Sequence, residues 1–341
     1  MPRRIGVIGT FIRDTIVTLD GRTVECIGGL YHTMAYLAHL VDTDTEIQPL
    51  CHVGDDFYET IQKTLTQFNK KILFNSLYRV QRANTQVKLT YLTPETREEI
   101  TSATMPPITI AETAALAGCD VVLVNLISGD DMTLAALKTL RKLTPSPLIY
   151  LDLHSLALGI DETGRRYYRD VPDWPEWVAG CDILQLNERE AATLAGNVPQ
   201  HLCCADAQAG MNNSSGNDPV TYDELVKLGQ RLVAEKLRGC HITLGSAGSL
   251  LFYRQGEKVH HEHVPPAKVP PVVDIIGCGD AFGAAFLTQF MKTKNFSAAT
   301  HFANHVAGLN GTFMGSLTPE IFQKVIKPQI EKLSDDAIAP Q

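Results

Sequence analysis

Four consecutive apolar residues, Val121-Val122-Leu123-Val124, leave no polar side to turn toward water. A strand of that kind must be covered on both faces, which is the position of a central strand in a parallel sheet. Similar short runs recur at Ile5–Gly9, Ile47–Val53, Leu148–Asp152, Ile183–Leu186 and His241–Leu244. Between them lie helical patterns at Leu30–Leu40, Phe57–Phe68, Asp131–Leu143, Glu188–Ala195, Tyr222–Leu237 and Ala281–Met291. Strand and helix alternating in this way predict an α/β three-layer sandwich with a mostly parallel central sheet. In such sheets ligands sit beyond the carboxyl ends of the strands.

The chain has 341 residues, 44% of them hydrophobic, which is enough for one large α/β domain. The net charge of −8 argues against a general binder of nucleic acid or anionic membrane. No apolar run is long enough to span a bilayer. The basic start Met1-Pro2-Arg3-Arg4 leads into an apolar run too short for a signal-peptide core, so a cytoplasmic location is expected. The eight cysteines show no Cys-x-x-Cys pair and read as free thiols in or beside apolar segments. Cys278 stands apart, because a thiol at a helix N-terminus can have a lowered pKa.

Two regions depart from the alternation. Thr85–Thr93 alternates polar and apolar residues, and with Pro94–Arg97 as a turn and Glu98–Thr101 returning it reads as a half-exposed hairpin. Phe11–Thr18 supplies a further strand, so residues 11–18 and 85–101 are expected to form a small antiparallel β-flap lid over one end of the sheet. Residues 196–219, rich in Asn, Ser, Gly and Ala, read as a mobile surface loop. One domain is thus expected over residues 1–333, followed by a frayed tail at 334–341.

The chemistry concentrates in Asp274-Ile275-Ile276-Gly277-Cys278-Gly279-Asp280, which runs directly into the apolar helical stretch Ala281–Leu287. Small residues permit a tight turn, and the first amides of a helix are free to bind an anion. Asp280 would lie beside that anion, placed to take a proton from an attacking hydroxyl. Read alone, the same turn is also an ordinary capped helix start.

Other motifs stand in order along the chain: Gly28-Gly29 before a helix, Val53-Gly54-Asp55-Asp56, Asn187-Glu188-Arg189-Glu190 after a central strand, and Thr243-Leu244-Gly245-Ser246-Ala247-Gly248. Together with Asp274 standing six positions before Asp280, this set resembles the ribokinase-like carbohydrate kinases, also called the phosphofructokinase-B family.

The resemblance implies a phosphotransferase using ATP and Mg²⁺, with a small sugar or nucleoside as acceptor and a homodimer formed through the lid. Asp280 would be the general base, and the turn Gly277, Cys278 and Gly279 the anion hole. Asp14, Gly28, Gly29 and Thr33 would bind substrate. Asn187, Thr243, Gly245, Gly248 and Asn304 would border the nucleotide. Glu190 would serve Mg²⁺, partly through water, and Asp274 with the Ile276 carbonyl a potassium ion. Asn187 and Glu190 could instead simply cap a helix. His32, His301 and His305 have no partner pattern and read as ordinary core or surface histidines.

Four positions depart from the family pattern. Ile275 replaces a Thr, Cys278 a smaller residue, Thr33 an Asn and Ile12 an Asn. Two polar sugar contacts are thereby changed, so the acceptor is expected to be unusual, less hydroxylated or partly apolar. A non-catalytic sensor of sugar or nucleotide is the rival of a different class. A nicotinamide dehydrogenase is weaker, because Gly6-Val7-Ile8-Gly9-Thr10-Phe11 lacks the Gly-x-Gly-x-x-Gly turn.

Overall fold

The apolar run Val121–Val124 forms a strand with a parallel neighbour on each side. In the computed structural model, which describes residues 3–68, 71–93, 97–196 and 220–336, the strands fall in chain order as follows. β1 (Arg4–Ile8), β2 (Phe11–Val17), β3 (Thr23–Gly29), β4 (Glu46–Gly54), β5 (Lys71–Ile72), β6 (Leu77–Val80), β7 (Gln86–Tyr91) and β8 (Arg97–Ser102) form the N-terminal part. β9 (Val121–Asn125), β10 (Leu148–Asp152), β11 (Leu158–Ile160), β12 (Arg166–Tyr168), β13 (Ile183–Asn187), β14 (Gly239–Thr243), β15 (Ser249–Gln255) and β16 (Lys258–Val264) follow. The main helices are α1 (Leu30–Leu40), α2 (Tyr58–Leu65), α3 (Leu134–Leu140), α4 (Trp174–Ala179), α5 (Glu188–Leu194), α6 (Tyr222–Glu235), α7 (Cys278–Thr293) and α8 (Phe296–Asn310).

The large sheet runs β16-β15-β14-β13-β10-β9-β1-β4-β5, with β6 also on β4. Every pair from β14 to β5 is parallel, whereas β14-β15 and β15-β16 are antiparallel. The β15-β16 hairpin was not foreseen; its turn uses Gly256 at φ 61°, a conformation glycine adopts without steric cost. Alternate side chains of one strand enter opposite cores. Val121 and Leu123 pack with α1, α7 and α8, while Val122 and Val124 pack with α3, α5 and α6. Burial on both faces is why the run could be wholly apolar.

The flap is a four-stranded sheet of order β3-β2-β7-β8. The expected antiparallel arrangement is corrected in one respect: β2 and β7 are parallel, because a partner far along the chain inserts beside the β2-β3 hairpin. β3 itself was not foreseen. Gly28 and Gly29, the motif that precedes the helix, end this strand opposite Ile12 and Phe11. Arg166, with a 1% exposed side chain, ties the flap down, donating to Thr101 Oγ1 (3.2 Å) and to the Ser128 carbonyl (2.8 Å).

Some helix bounds differ from expectation. α3 begins at Leu134, not Asp131, because Thr133 caps it by accepting from the Ala136 amide. Asp131 instead accepts from Thr10 Oγ1 (2.6 Å) and from the amides of Ser128 and Gly129. The last helix extends through Asp336, so residues 334–336 are helical where a frayed tail was expected. The expected loop at 197–219, the turn at 94–96 and the tail at 337–341 lie outside the described residues. The six described cysteines are free thiols, and among described residues no helix is long and apolar enough to cross a membrane.

His241 in β14 supplies a pH test of the core. It is fully buried, edge-on to Phe286 (4.3 Å between ring centres), with Thr300 Oγ1 at 3.1 Å. Burial pushes its pKa down to about 3. The unfolded chain takes up this proton near pH 6.5 and the folded chain only near 3, so its stability contribution is lost as pH falls from 6.5 toward 3. Substitution His241→Phe is expected to remove up to about 1.4 kcal/mol per pH unit of acid destabilisation in that window. Denaturant unfolding at pH 7, 6, 5 and 4 measures it, and parallel pH profiles for the two proteins would contradict it.

Candidate active site

The loop before α7 is built around one left-handed residue. Gly277 has φ 76° and ψ 2° and caps the helix; a Cβ there would stand 2.6 Å from His32 Nδ1. Only glycine meets both demands. Helix α7 therefore starts at Cys278, three residues earlier than its apolar pattern suggests, and Gly279 and Asp280 fall in its first turn. A Cβ at Gly279 would meet only Gln185 Nε2, at 3.6 Å. Space thus opens over Gly279, at the helix end where free amides and the helix dipole favour an anion.

Asp280 is 7% exposed. Its Oδ1 accepts from Thr33 Oγ1 at 3.0 Å and from Asn125 Nδ2 at 2.6 Å. Both bonds fall on one oxygen, so Oδ2 is left without a hydrogen-bond partner among the described residues. Thr33, expected to touch substrate, gives its hydroxyl to this carboxylate instead. Asn125 was missed by sequence reasoning, since nothing near the end of an apolar strand marks it out. His32, expected to be an ordinary core or surface histidine, is a core one: it is buried against Gly277, and neither ring nitrogen has a partner among the described residues. Burial pushes its pKa down, against the raising pull of Asp280 and Asp274.

The expectation of a reactive Cys278 is corrected. Burial pushes its thiol up to about 11, with nearby Asp274 and Asp280 adding to the rise. Its Sγ lies 3.5 Å from Asn310 Nδ2.

Asp274 shapes the loop. Its carboxylate accepts from the Ile276 amide (3.0 Å), Tyr91 OH (3.2 Å) and the Gly315 amide (3.1 Å), and the Ile276 carbonyl accepts from Asn310 Nδ2 (2.8 Å). These donors use part of the acceptor capacity of the Asp274 carboxylate and the Ile276 carbonyl, and no step is routed through a potassium ion. Tyr91 belongs to the flap, and Ile276 packs on the flap cluster of Ile12, Ile16, Val87, Leu89 and Ile127. Flap and anion loop are thus physically joined.

The flap also contributes Asp14, 5% exposed. A Cβ on Gly28 would stand 1.6 Å from Asp14 Oδ2, and one on Gly29 would stand 2.4 Å from the Thr10 carbonyl. Both glycines make room: Gly28 for the carboxylate, Gly29, at φ 59°, for a sharp entry into α1. Ile12 and Ile127 border Gly29, giving that side an apolar wall.

Asn187 and Glu190 form a reciprocal cap on α5. Asn187 Oδ1 accepts from the Arg189 and Glu190 amides, and Glu190 Oε2 accepts from the Asn187 amide, each at 2.9 Å. Glu190 is nonetheless unusual: burial pushes its pKa up to about 8. Asp152, at the end of β10, is raised by burial and by the charges of Glu190 and Asp280. No cation pairs with either carboxyl among the described residues. This all-oxygen, uncompensated pair fits Mg²⁺, which is held by one or two carboxylates and keeps several waters. Gln185 Nε2 connects Asp152 Oδ2 (2.8 Å) to the Gly279 carbonyl (3.1 Å).

The remaining expected residues lie along the β13-β14 side. Thr243 Oγ1 donates to the Leu186 carbonyl at 3.3 Å. Gly245, φ 55°, faces open space, and Gly248, φ 90°, would clash with the Val264 carbonyl if it carried a Cβ. Asn304 is buried, and its Nδ2 donates to the Val264 and Pro265 carbonyls at 3.0 and 3.2 Å. Gly248 and Asn304 thus meet on one bend, where Asn304 acts first as a structural tie.

Residues 166–320 match the pfkB family carbohydrate kinases. A ribokinase of Arabidopsis thaliana is 34% identical over 140 residues, 41% of this chain and 31% of the relative, so the match spans about a third of that protein's length. The solved structure of a ribokinase from Giardia lamblia superposes with a TM-score of 0.73 at 17% identity, covering 98% of this chain and 99% of the other. The Arabidopsis thaliana ribokinase complexed with ribose and ATP gives 0.67 at 18% identity, covering 93% and 95%.

The two glycines of the turn make opposite demands. Gly277→Ala is expected to destabilise the fold by about 1–3 kcal/mol, from a left-handed backbone and the His32 clash. Gly279→Ala is expected to change stability by less than about 1 kcal/mol, since alanine is favoured in a helix. Urea unfolding separates them, and equal losses would contradict the open space over Gly279.

Proposed function

We propose that the chain, whose residues 166–320 match the pfkB carbohydrate kinases, belongs to that ribokinase-like family and transfers the terminal phosphoryl group of ATP to a hydroxyl of a small sugar or sugar-like alcohol in the cytoplasm. The observation that carries this reading is Asp280: a buried carboxylate in the first turn of α7, held by one oxygen and beside a glycine turn in which the Cys278 amide turns back to the Ile275 carbonyl (3.3 Å) while the Gly277 and Gly279 amides have no partner among the described residues. Oδ2 takes the proton of the attacking hydroxyl. The amides around Gly277, Cys278 and Gly279 stabilise charge on the moving phosphoryl group, where positioning and charge neutralisation are the larger contributions.

Glu190 and Asp152 would hold Mg²⁺, whose chemistry is to neutralise phosphate charge. Nucleotide would lie along Asn187, Thr243, Gly245 and Gly248, with Asn304 at the edge. Asp14 accepts hydrogen bonds from acceptor hydroxyls under the flap, while Ile12 and Ile127 cover a less polar side. The bond from Tyr91 to Asp274 and the packing of Ile276 on the flap cluster let flap closure exclude water as the loop forms its anion site. The outer edge of β3 is the surface through which two flaps would pair in a dimer, since that of β8 is already bridged by Gly164 and Arg165.

The test is ADP formation with Mg²⁺ across pentoses, hexoses, inositols and nucleosides. Asp280→Asn is expected to keep its unfolding temperature and its ATP affinity by calorimetry, and to lose about 10²–10⁴ in kcat. A near-wild-type rate would remove Asp280 from catalysis. Sugar or nucleotide binding without turnover by the wild-type chain would favour the sensor.

A further inference from the structure

The shortest hydrogen bond to Asp280 comes from a residue that no motif marks. Asn125 closes β9 and is 1% exposed. Its Nδ2 lies 2.6 Å from Asp280 Oδ1 and 3.1 Å from Thr33 Oγ1. An ionised carboxylate only accepts, so the amide must present its NH₂ group to Asp280, and chemistry fixes which way the side chain faces. The carboxamide oxygen is then directed elsewhere. That oxygen is buried and has no partner among the described residues.

An unmet buried carbonyl is costly, and native proteins rarely keep one without a use. The surroundings supply no donor. The Thr33 hydroxyl is already given to Asp280, and Gly9 lies against the backbone carbonyl of Asn125. Ile127, two residues on, is apolar and packs toward Gly29 and the flap. The position is also where a parallel sheet presents its ligands, at the carboxyl end of a central strand.

We propose that Asn125 Oδ1 accepts a hydrogen bond from a second hydroxyl of the acceptor, close along the carbon skeleton to the one phosphorylated. One side chain then does two things: its NH₂ group orients the base and its oxygen reads the substrate. The acceptor class narrows to polyols, because a molecule lacking that hydroxyl leaves the oxygen unmet in a closed site. The inference deepens the proposed function and rests on it for the identity of the reacting hydroxyl.

The experiment sets D-ribose, myo-inositol and adenosine against their monodeoxy counterparts, with wild type, Asn125→Ala and Asn125→Ser. It reads kcat/KM where turnover occurs and calorimetric affinity where it does not. In wild type, removal of one particular hydroxyl is expected to cost about 10–100-fold. In Asn125→Ala that discrimination falls to within about threefold while kcat also drops, as the base loses its tie. Asn125→Ser, too short to span both partners, loses the discrimination as well. Unchanged discrimination in the variants overturns the proposal. So does a wild type indifferent to every deoxy compound, or one that binds none of the three parent acceptors. Should the variants fail to fold, the wild-type comparison decides alone. Selective binding without ADP formation would sink the kinase reading and keep this one; ADP formation without selectivity would do the reverse.

Discussion

The fixing of Asp280 by one oxygen is the interaction on which the site depends. A carboxylate at a helix start is free to swing, and to cap its own helix, unless something else claims it. Here Thr33 from α1 and Asn125 from β9 both donate to Oδ1. Three elements distant in the chain therefore converge on one atom. The second oxygen has no hydrogen-bond partner among the described residues, which on the proposed function leaves it for the acceptor hydroxyl. Neither tie could form unless α1 and α7 packed side by side over the sheet, and the shared apolar core of Leu30, Met34, Leu37, Ala281, Ala284 and Ala285 sets that packing.

The loop before α7 is equally constrained, through Asp274 rather than Asp280. Its carboxylate gathers the Ile276 amide, the Gly315 amide and the flap residue Tyr91. Asn310 holds the Ile276 carbonyl and is held in turn by Tyr36 OH at 2.9 Å. The anion turn is thus suspended between the flap and the core. Tyr91 and Ile276 link the flap to the turn, and on the proposed function this is the route by which acceptor binding would prepare the phosphoryl site.

Much of this was legible in local pattern. The apolar run at Val121–Val124, the alternation of strands and helices, and the small-residue turn before Asp280 are each written in neighbouring residues. What failed to show was non-local. Asn125 and Asp280 are distant in sequence, and an asparagine ending an apolar strand carries no periodic signal. His32 looks ordinary until Gly277 is found against its ring. The parallel pairing of β2 with β7 depends on which distant strand fills the gap, and alternation alone does not say. Asp131 matched a helix start by type, but Thr10 and the Ser128 turn claimed it. Cys278 has the position of a reactive thiol, yet its burial among carboxylates sets its chemistry the other way.

The central claim, an anion on the first amides of α7 with Asp280 at the attacking oxygen, is tested most directly by a crystal structure. The complex should hold ADP, aluminium fluoride, Mg²⁺ and the acceptor that is turned over fastest. The expected result is fluoride hydrogen-bonded to the amides at residues 277–279, and Asp280 Oδ2 within hydrogen-bond reach of the acceptor hydroxyl while Oδ1 stays with Thr33 and Asn125. Fluoride bound away from that turn, or Asp280 turned from the acceptor, would contradict it.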